Sequence, residues 1–138
     1  MYSIEHLPHT ADIRLRLRAD SLPALFTAGF TALNDILKPG ACTKEGSYPI
    51  SRAVTLRSLD VTALLVDFLS EVLTLAQEEK AVFCVLTLLK LANTEVEARI
   101  EGIPAEGFDE DIKAVTYHQA EVHRKEGGEW ETLLVLDI

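Results

Sequence analysis

Apolar and polar residues alternate strictly through DIRLRLRAD. Ile13, Leu15 and Leu17 fall on one side and Arg14, Arg16 and Arg18 on the other, the pattern of a strand buried on one face. The period then lengthens. In SLPALFTAGFTALNDIL the residues Leu22, Leu25, Phe26, Phe30, Leu33 and Leu37 form one helical stripe. Ser21 stands where an N-cap belongs and Pro23 suits the first turn. Gly29 on that helix leaves room for a close neighbour. KPGACTKEGSYP reads as a loop from its Gly, Pro and Lys content.

ISRAVTLRS alternates again and predicts a second strand. LDVTALLVDFLSEVLTLAQEE predicts the longest helix. Asp60 is its cap, and Val61, Leu64, Leu65, Phe68, Leu69, Val72 and Leu73 form its core face. AVFCVLTLLKLA and EVEARIE predict a strand pair turning near Asn93-Thr94. IPAEGFDED reads as a loop. IKAVTYHQAEVHR and WETLLVLDI predict a last hairpin about Gly127-Gly128. LRADSLPALF and LRSLDVTALL share a strand–cap–helix order, a short echo consistent with an internal strand–helix–strand duplication, though shared physics explains it about as well. The expected fold is α+β: one domain over residues 1–138, a mostly antiparallel sheet with two helices packed on one face.

The 138 residues are enough for a core that needs no metal or disulfide in order to fold. Asp plus Glu number 22 against 13 Lys plus Arg, a formal charge of -9. That surface repels phosphate backbones at long range and argues against direct RNA binding. The opening MYSIEHLPHTADI has neither the basic nor the apolar region of a secretory signal. The longest apolar run, AVFCVLTLLKLA, is too short to span a bilayer. Cys42 and Cys84 lack metal-ligand spacing. Cys84, inside the apolar run, reads as a buried thiol, and the pair suggests a reducing compartment.

Chemistry gathers at the two ends. Asp137 lies in the apolar run LLVLDI, with Leu133 and Val135 on its own face, beside the terminal carboxylate of Ile138. A carboxylate there needs either a cation or hydrogen bonds from a neighbouring element, the commoner outcome. His6, His9 and Asp12 cluster in HLPHTAD. They could bind a metal, act as an acid–base pair or form a local turn. Taken alone, the turn is the commoner outcome. Oxygen ligands favour Ca²⁺ or Mg²⁺ over Zn²⁺. Lys113 could reach a phosphate or carboxylate of a partner, or guard a sheet edge. Arg14, Arg16 and Arg18 are expected to pair with Glu95, Glu97 or Glu101 of another strand, and Asp67 to face solvent.

HTAD near the start, the helix LLVDFLSEVL, the block IKAVTYH and the ending LDI together resemble the archease family, in order and over nearly the whole chain. The resemblance implies a cytoplasmic, non-catalytic accessory protein of RtcB-type RNA ligases, which act in tRNA splicing and RNA repair. Such proteins promote guanylylation of the ligase and restore it for multiple turnover. Some are linked as chaperone-like partners to tRNA modification enzymes. The resemblance also implies a calcium site at Asp12, Asp137 and Ile138, and assigns Lys113 to ligase activation, with His9 a further partner candidate. A reading from the residues alone remains beside it: a metal-dependent hydrolase with water activated between Asp12 and Asp137 and His9 moving protons.

Overall fold

The computed structural model describes residues 1–8, 11–43 and 46–138. In chain order the elements are β1 (Tyr2–Leu7), β2 (Asp12–Ala19), α1 (Leu22–Leu37), β3 (Ile50–Arg57), α2 (Val61–Glu79), β4 (Ala81–Leu91), β5 (Glu95–Pro104), β6 (Ala114–Thr116), β7 (His123–Arg124) and β8 (Trp130–Asp137). The strands divide into two sheets. One is ordered β1-β2-β8-β6 with β7 also on β8; the other is β3-β5-β4. Every pairing is antiparallel. The α+β class is therefore as expected, and β1 is an edge strand that the hydrophobic pattern did not reveal.

Both helices begin as their sequences require. Ser21 Oγ accepts the N–H of Ala24 at 3.2 Å, and Asp60 Oδ1 accepts that of Ala63 at 2.8 Å. The matched caps preserve the strand–cap–helix echo, but any strand that feeds a helix needs such a cap, so it does not establish a duplication. The two stripes then meet in one core. A Cβ at Gly29 would lie 2.9 Å from Leu69 Cδ1, so the glycine is what lets α2 approach α1. Phe26 and Phe68 pack with ring centroids 5.7 Å apart. Both are fully buried, as are Leu15, Leu17, Leu25 and Leu65. Burial of each such side chain contributes roughly 1.5–3 kcal/mol.

β4 carries a bulge. The register against β5 shifts between Phe83 and Val85, which leaves Cys84 as the extra residue. Two residues accommodate it. Gly102 lies opposite Phe83, where a Cβ would meet the Val82 carbonyl oxygen at 2.1 Å. Asn34, buried on α1, accepts the Phe83 N–H through Oδ1 at 2.9 Å and donates Nδ2 to the Phe30 carbonyl at 2.9 Å. Cys84 forms a disulfide with Cys42, 42 residues earlier. This corrects the reading of Cys84 as a buried thiol and of the pair as an indicator of a reducing compartment: folding brings together two residues that are distant in sequence.

Three further expectations change. The strand over IKAVTYHQAEVHR breaks into β6 and β7, with Gln119 at φ 61° between them. The interruption is drawn toward α2: Val122 N–H donates to Thr62 Oγ1 at 2.9 Å, and the Tyr117 hydroxyl donates to Asp67. That bond to a carboxylate, with smaller help from burial, raises the Tyr117 phenol above its ordinary pKa. Asp67 therefore does not simply face solvent; it also accepts Ser58 Oγ at 2.7 Å. The arginines of β2 do not meet Glu95, Glu97 or Glu101, which lie on β5 in the other sheet. Arg16 pairs with Glu5 at 3.2 Å, Arg18 with Glu131 at 2.5 Å, and Arg14 donates to Gln119 at 3.2 Å.

Two outcomes test this account. Asn34→Ala leaves the Phe83 N–H buried without its acceptor. It should cost about 1–3 kcal/mol, read as a lower urea midpoint with an unchanged slope. The Arg18 hydrogen bond, opposed by burial and aided by Lys125, holds the Glu131 carboxyl below its ordinary range. A lowered folded pKa gives stability that is present above the unfolded value, about 4.3, and lost as pH falls through the folded one. Glu131→Gln should therefore flatten the acid limb of a stability-against-pH curve below about pH 4.3, and an unchanged limb would place the acid sensitivity elsewhere.

Candidate metal centre and partner face

Antiparallel register decides which side chains share a face. β2 pairs with β8 so that Ile13 lies opposite Leu136, Leu15 opposite Leu134 and Leu17 opposite Thr132. These residues are all buried. The alternate pairs form the other face: Arg18 with Glu131, Arg16 with Leu133, Arg14 with Val135 and, at the end of the row, Asp12 with Asp137. Directly opposed side chains have Cβ atoms about 4.5–5.5 Å apart. The sheet thus sets two carboxylates side by side, Asp12 half-buried and Asp137 exposed.

β6 extends the arrangement on the other side of β8. Ala114 is the register partner of Asp137, and the Lys113 N–H donates to the Asp137 carbonyl at 2.7 Å. The Lys113 main chain therefore lies beside Asp137, just ahead of β6; in strand phase Lys113 goes with Val115 rather than with Ala114, and its side chain is exposed and in no ion pair among the described residues. Ile138 is half-buried and packs against the core, which anchors the main chain following Asp137. Beyond the pair, Arg14 reaches from β2 to Gln119. Its register partner Val135 is buried although it lies outside the main core cluster.

Among the described residues, no hydrogen bond or ion pair reaches either the Asp12 or the Asp137 side chain. Like charges directly opposed on a sheet are destabilising unless something compensates them. The donors are hard oxygens, the chemistry suited to Ca²⁺ or Mg²⁺. Two side chains and a main-chain oxygen fall short of the six to eight ligands of Ca²⁺, so water or a partner must complete such a shell. Among the described residues no three His, Cys, Asp or Glu gather as a metal cluster.

The histidines do not complete the cluster expected from HLPHTAD. His6 is the register partner of Leu15, an inward position, so it faces the opposite side of the sheet from Asp12. It lines a cleft there with Asn34 and both cysteines. His9 lies outside the described residues. Sequence reasoning also missed the Tyr117–Asp67–Ser58 cluster. The polar residue at an interior position of α2 was the available signal, but it named no partner.

No helix among the described residues is long and apolar enough to cross a membrane. The family model described as the archease protein family (MTH1598/TM1083) matches residues 4–138. The chain is similar to the archease of Methanosarcina mazei, at 32% identity over 97% of this chain and 94% of that protein. It is similar also to the archease of Pyrococcus abyssi, at 32% identity over 97% of each. Its fold resembles the solution structure of Methanobacterium thermoautotrophicum protein 1598, with a TM-score of 0.73, 22% identity and 98% of each chain covered. It also resembles the crystal structure of a Thermotoga maritima archease described as a possible chaperone, with a TM-score of 0.68, 17% identity, and 97% of this chain and 96% of that one covered. A family match over nearly the whole length, relatives above 30% identity and the same arrangement of strands and helices agree: the chain belongs to the archease family.

Proposed function

We propose that this protein is a cytoplasmic, non-catalytic activator of an RtcB-type RNA ligase, promoting ligase guanylylation and repeated turnover through a site that holds a divalent cation. Family membership supports the reading, and one observation carries it: Asp12 and Asp137 stand opposite each other with no compensating side chain among the described residues, and the Lys113 main chain is bonded to that of Asp137. Asp12, Asp137 and a main-chain oxygen of Ile138 would hold the ion. When bound, Ca²⁺ would neutralise the pair and offer open coordination positions to an oxygen ligand of the ligase.

The chain's own residues supply the rest. The β2–β8 ladder holds both carboxylates in place, so little ordering is needed when the partner docks. Lys113 is free to extend its ammonium, a compact charge on a flexible stem, toward an anionic group of the ligase. The net charge of -9 favours a protein partner with basic surface over bare RNA.

The carboxylate pair makes a prediction whose sign changes with the metal. In chelator, Asp137→Asn relieves the like-charge contact and should raise stability by about 0.2–1 kcal/mol. In excess Ca²⁺ the order should reverse, because ligand binding stabilises only the chain that keeps its site. Thermal unfolding in both buffers reads the crossover, and its absence would remove the metal from the proposal.

Lys113→Ala should leave Ca²⁺ affinity by calorimetry and thermal stability nearly unchanged, within about 0.5 kcal/mol. It should nevertheless lower the guanylylation rate of a purified cognate ligase at least several-fold. Normal stimulation by this variant would return Lys113 to a sheet-edge role. Phosphoester turnover by the protein alone, abolished in Asp12→Asn, would favour the hydrolase reading instead.

A further inference from the structure

On the opposite side of the five-stranded sheet from the carboxylates lies a cleft of about 360 Å³. Ile4 and His6 of β1, Phe30 and Asn34 of α1, and Phe83 of β4 line it, and the Cys42–Cys84 disulfide forms part of its wall. The disulfide joins two unlike partners. Cys84 is the extra residue of the β4 bulge, half-buried in a strand whose neighbouring N–H is held by Asn34. Cys42 is exposed, in the turn that follows α1. Two bonds of that turn are local: Ala41 N–H donates to the Lys38 carbonyl at 3.2 Å, and the Tyr48 hydroxyl donates to the Thr43 carbonyl. Lys38 pairs with Asp109 at 3.2 Å, at the far end of the turn from Cys42. The disulfide is the covalent bond that fixes the turn to β4.

We infer that Cys42–Cys84 is a redox-sensitive clasp: reduction by a dithiol frees the Lys38–Thr43 turn from β4 and widens the cleft, while the rest of the fold persists. Three observations carry this. The sulfur on the turn side belongs to an exposed residue, so a thiolate can approach it. The strand side is supported without the disulfide, because Asn34 and Gly102 already accommodate the bulge. Both cysteines line the cleft, so movement of the turn changes its shape.

The exchange balances as follows. One thiolate of the reductant attacks Cys42 Sγ, and the sulfur–sulfur electron pair leaves with Cys84, which takes a proton from water. The second thiolate of the reductant then attacks its own sulfur in the mixed disulfide and expels Cys42. Two electrons pass to the protein, and the reductant becomes a cyclic disulfide. Nothing in this inference depends on the proposed ligase or metal.

The test uses the full chain, oxidised and then reduced with dithiothreitol, with the Cys42→Ser/Cys84→Ser double variant as a permanently open form. Maleimide labelling should find no free thiol before reduction and two afterwards. Reduction of the native protein should proceed within about tenfold of the rate in urea. Backbone order parameters for residues 39–43 should fall from the rigid range, near 0.85, to below about 0.6 on reduction, with α2 and β5 unchanged. The double variant should match the reduced protein. A native bond reduced a thousandfold more slowly than in urea would overturn the inference, as would unchanged order in the turn or collapse of the whole spectrum on reduction. Two freely reacting thiols after treatment with an oxidant would overturn it too.

Discussion

The antiparallel register between β2 and β8 is the constraint on which the rest of this molecule depends. Because side chains alternate across a strand, a slip of one residue would turn Ile13, Leu15 and Leu17 to the outside and bring the arginines in. Burial of that apolar row therefore excludes any slip by an odd number of residues. The same pairing sets Asp12 opposite Asp137, Arg18 opposite Glu131, and Lys113 at the flank of Asp137 through β6. The hydrophobic face and the candidate site are two sides of one ladder. A change that disturbed the inward row would shift the carboxylates even though it touched neither.

A second centre of organisation is the β4 bulge. An extra residue in a strand leaves a backbone donor unpaired and crowds the partner strand. Here the donor goes to Asn34, and the crowding is relieved by the absence of a side chain at Gly102. The bulge turns Cys84 toward Cys42 and shapes a cleft at the junction of α1, β1 and β4. The two regions differ in kind. The carboxylate pair sits on the outer face of a regular ladder, whereas the cleft is built where regular pairing fails.

The family assignment and the geometry bear on different questions. Whole-length similarity places the chain among archeases. The paired carboxylates give that membership a chemical focus, since two adjacent negative groups without a compensating side chain among the described residues are costly unless a cation is bound. The segment between β6 and β7 adds a polar junction of Tyr117, Asp67 and Ser58 that ties the outer rim of the sheet to α2. Through it, the edge beside Lys113 is braced by a helix as well as by β8.

The hydrophobic pattern alone determined both helices with their caps, the strands at β2, β3, β4, β5 and β8, and the close approach at Gly29, because each rests on local periodicity or on a local hydrogen bond. Asp12, Asp137 and Lys113 stood out by residue type and family resemblance, but nothing local said that the two carboxylates would meet beside the Lys113 main chain. Only tertiary structure decided that, through strand pairing across more than a hundred residues. The same holds for Arg18 choosing Glu131 over an acidic residue of β5, for His6 facing away from Asp12, and for Cys42 finding Cys84. β1 escaped notice because YSIEHL has no clean alternation, and its strand conformation comes from the edge of β2 that it covers. Periodicity reports which face of an element is buried; which element covers that face is a property of the whole chain.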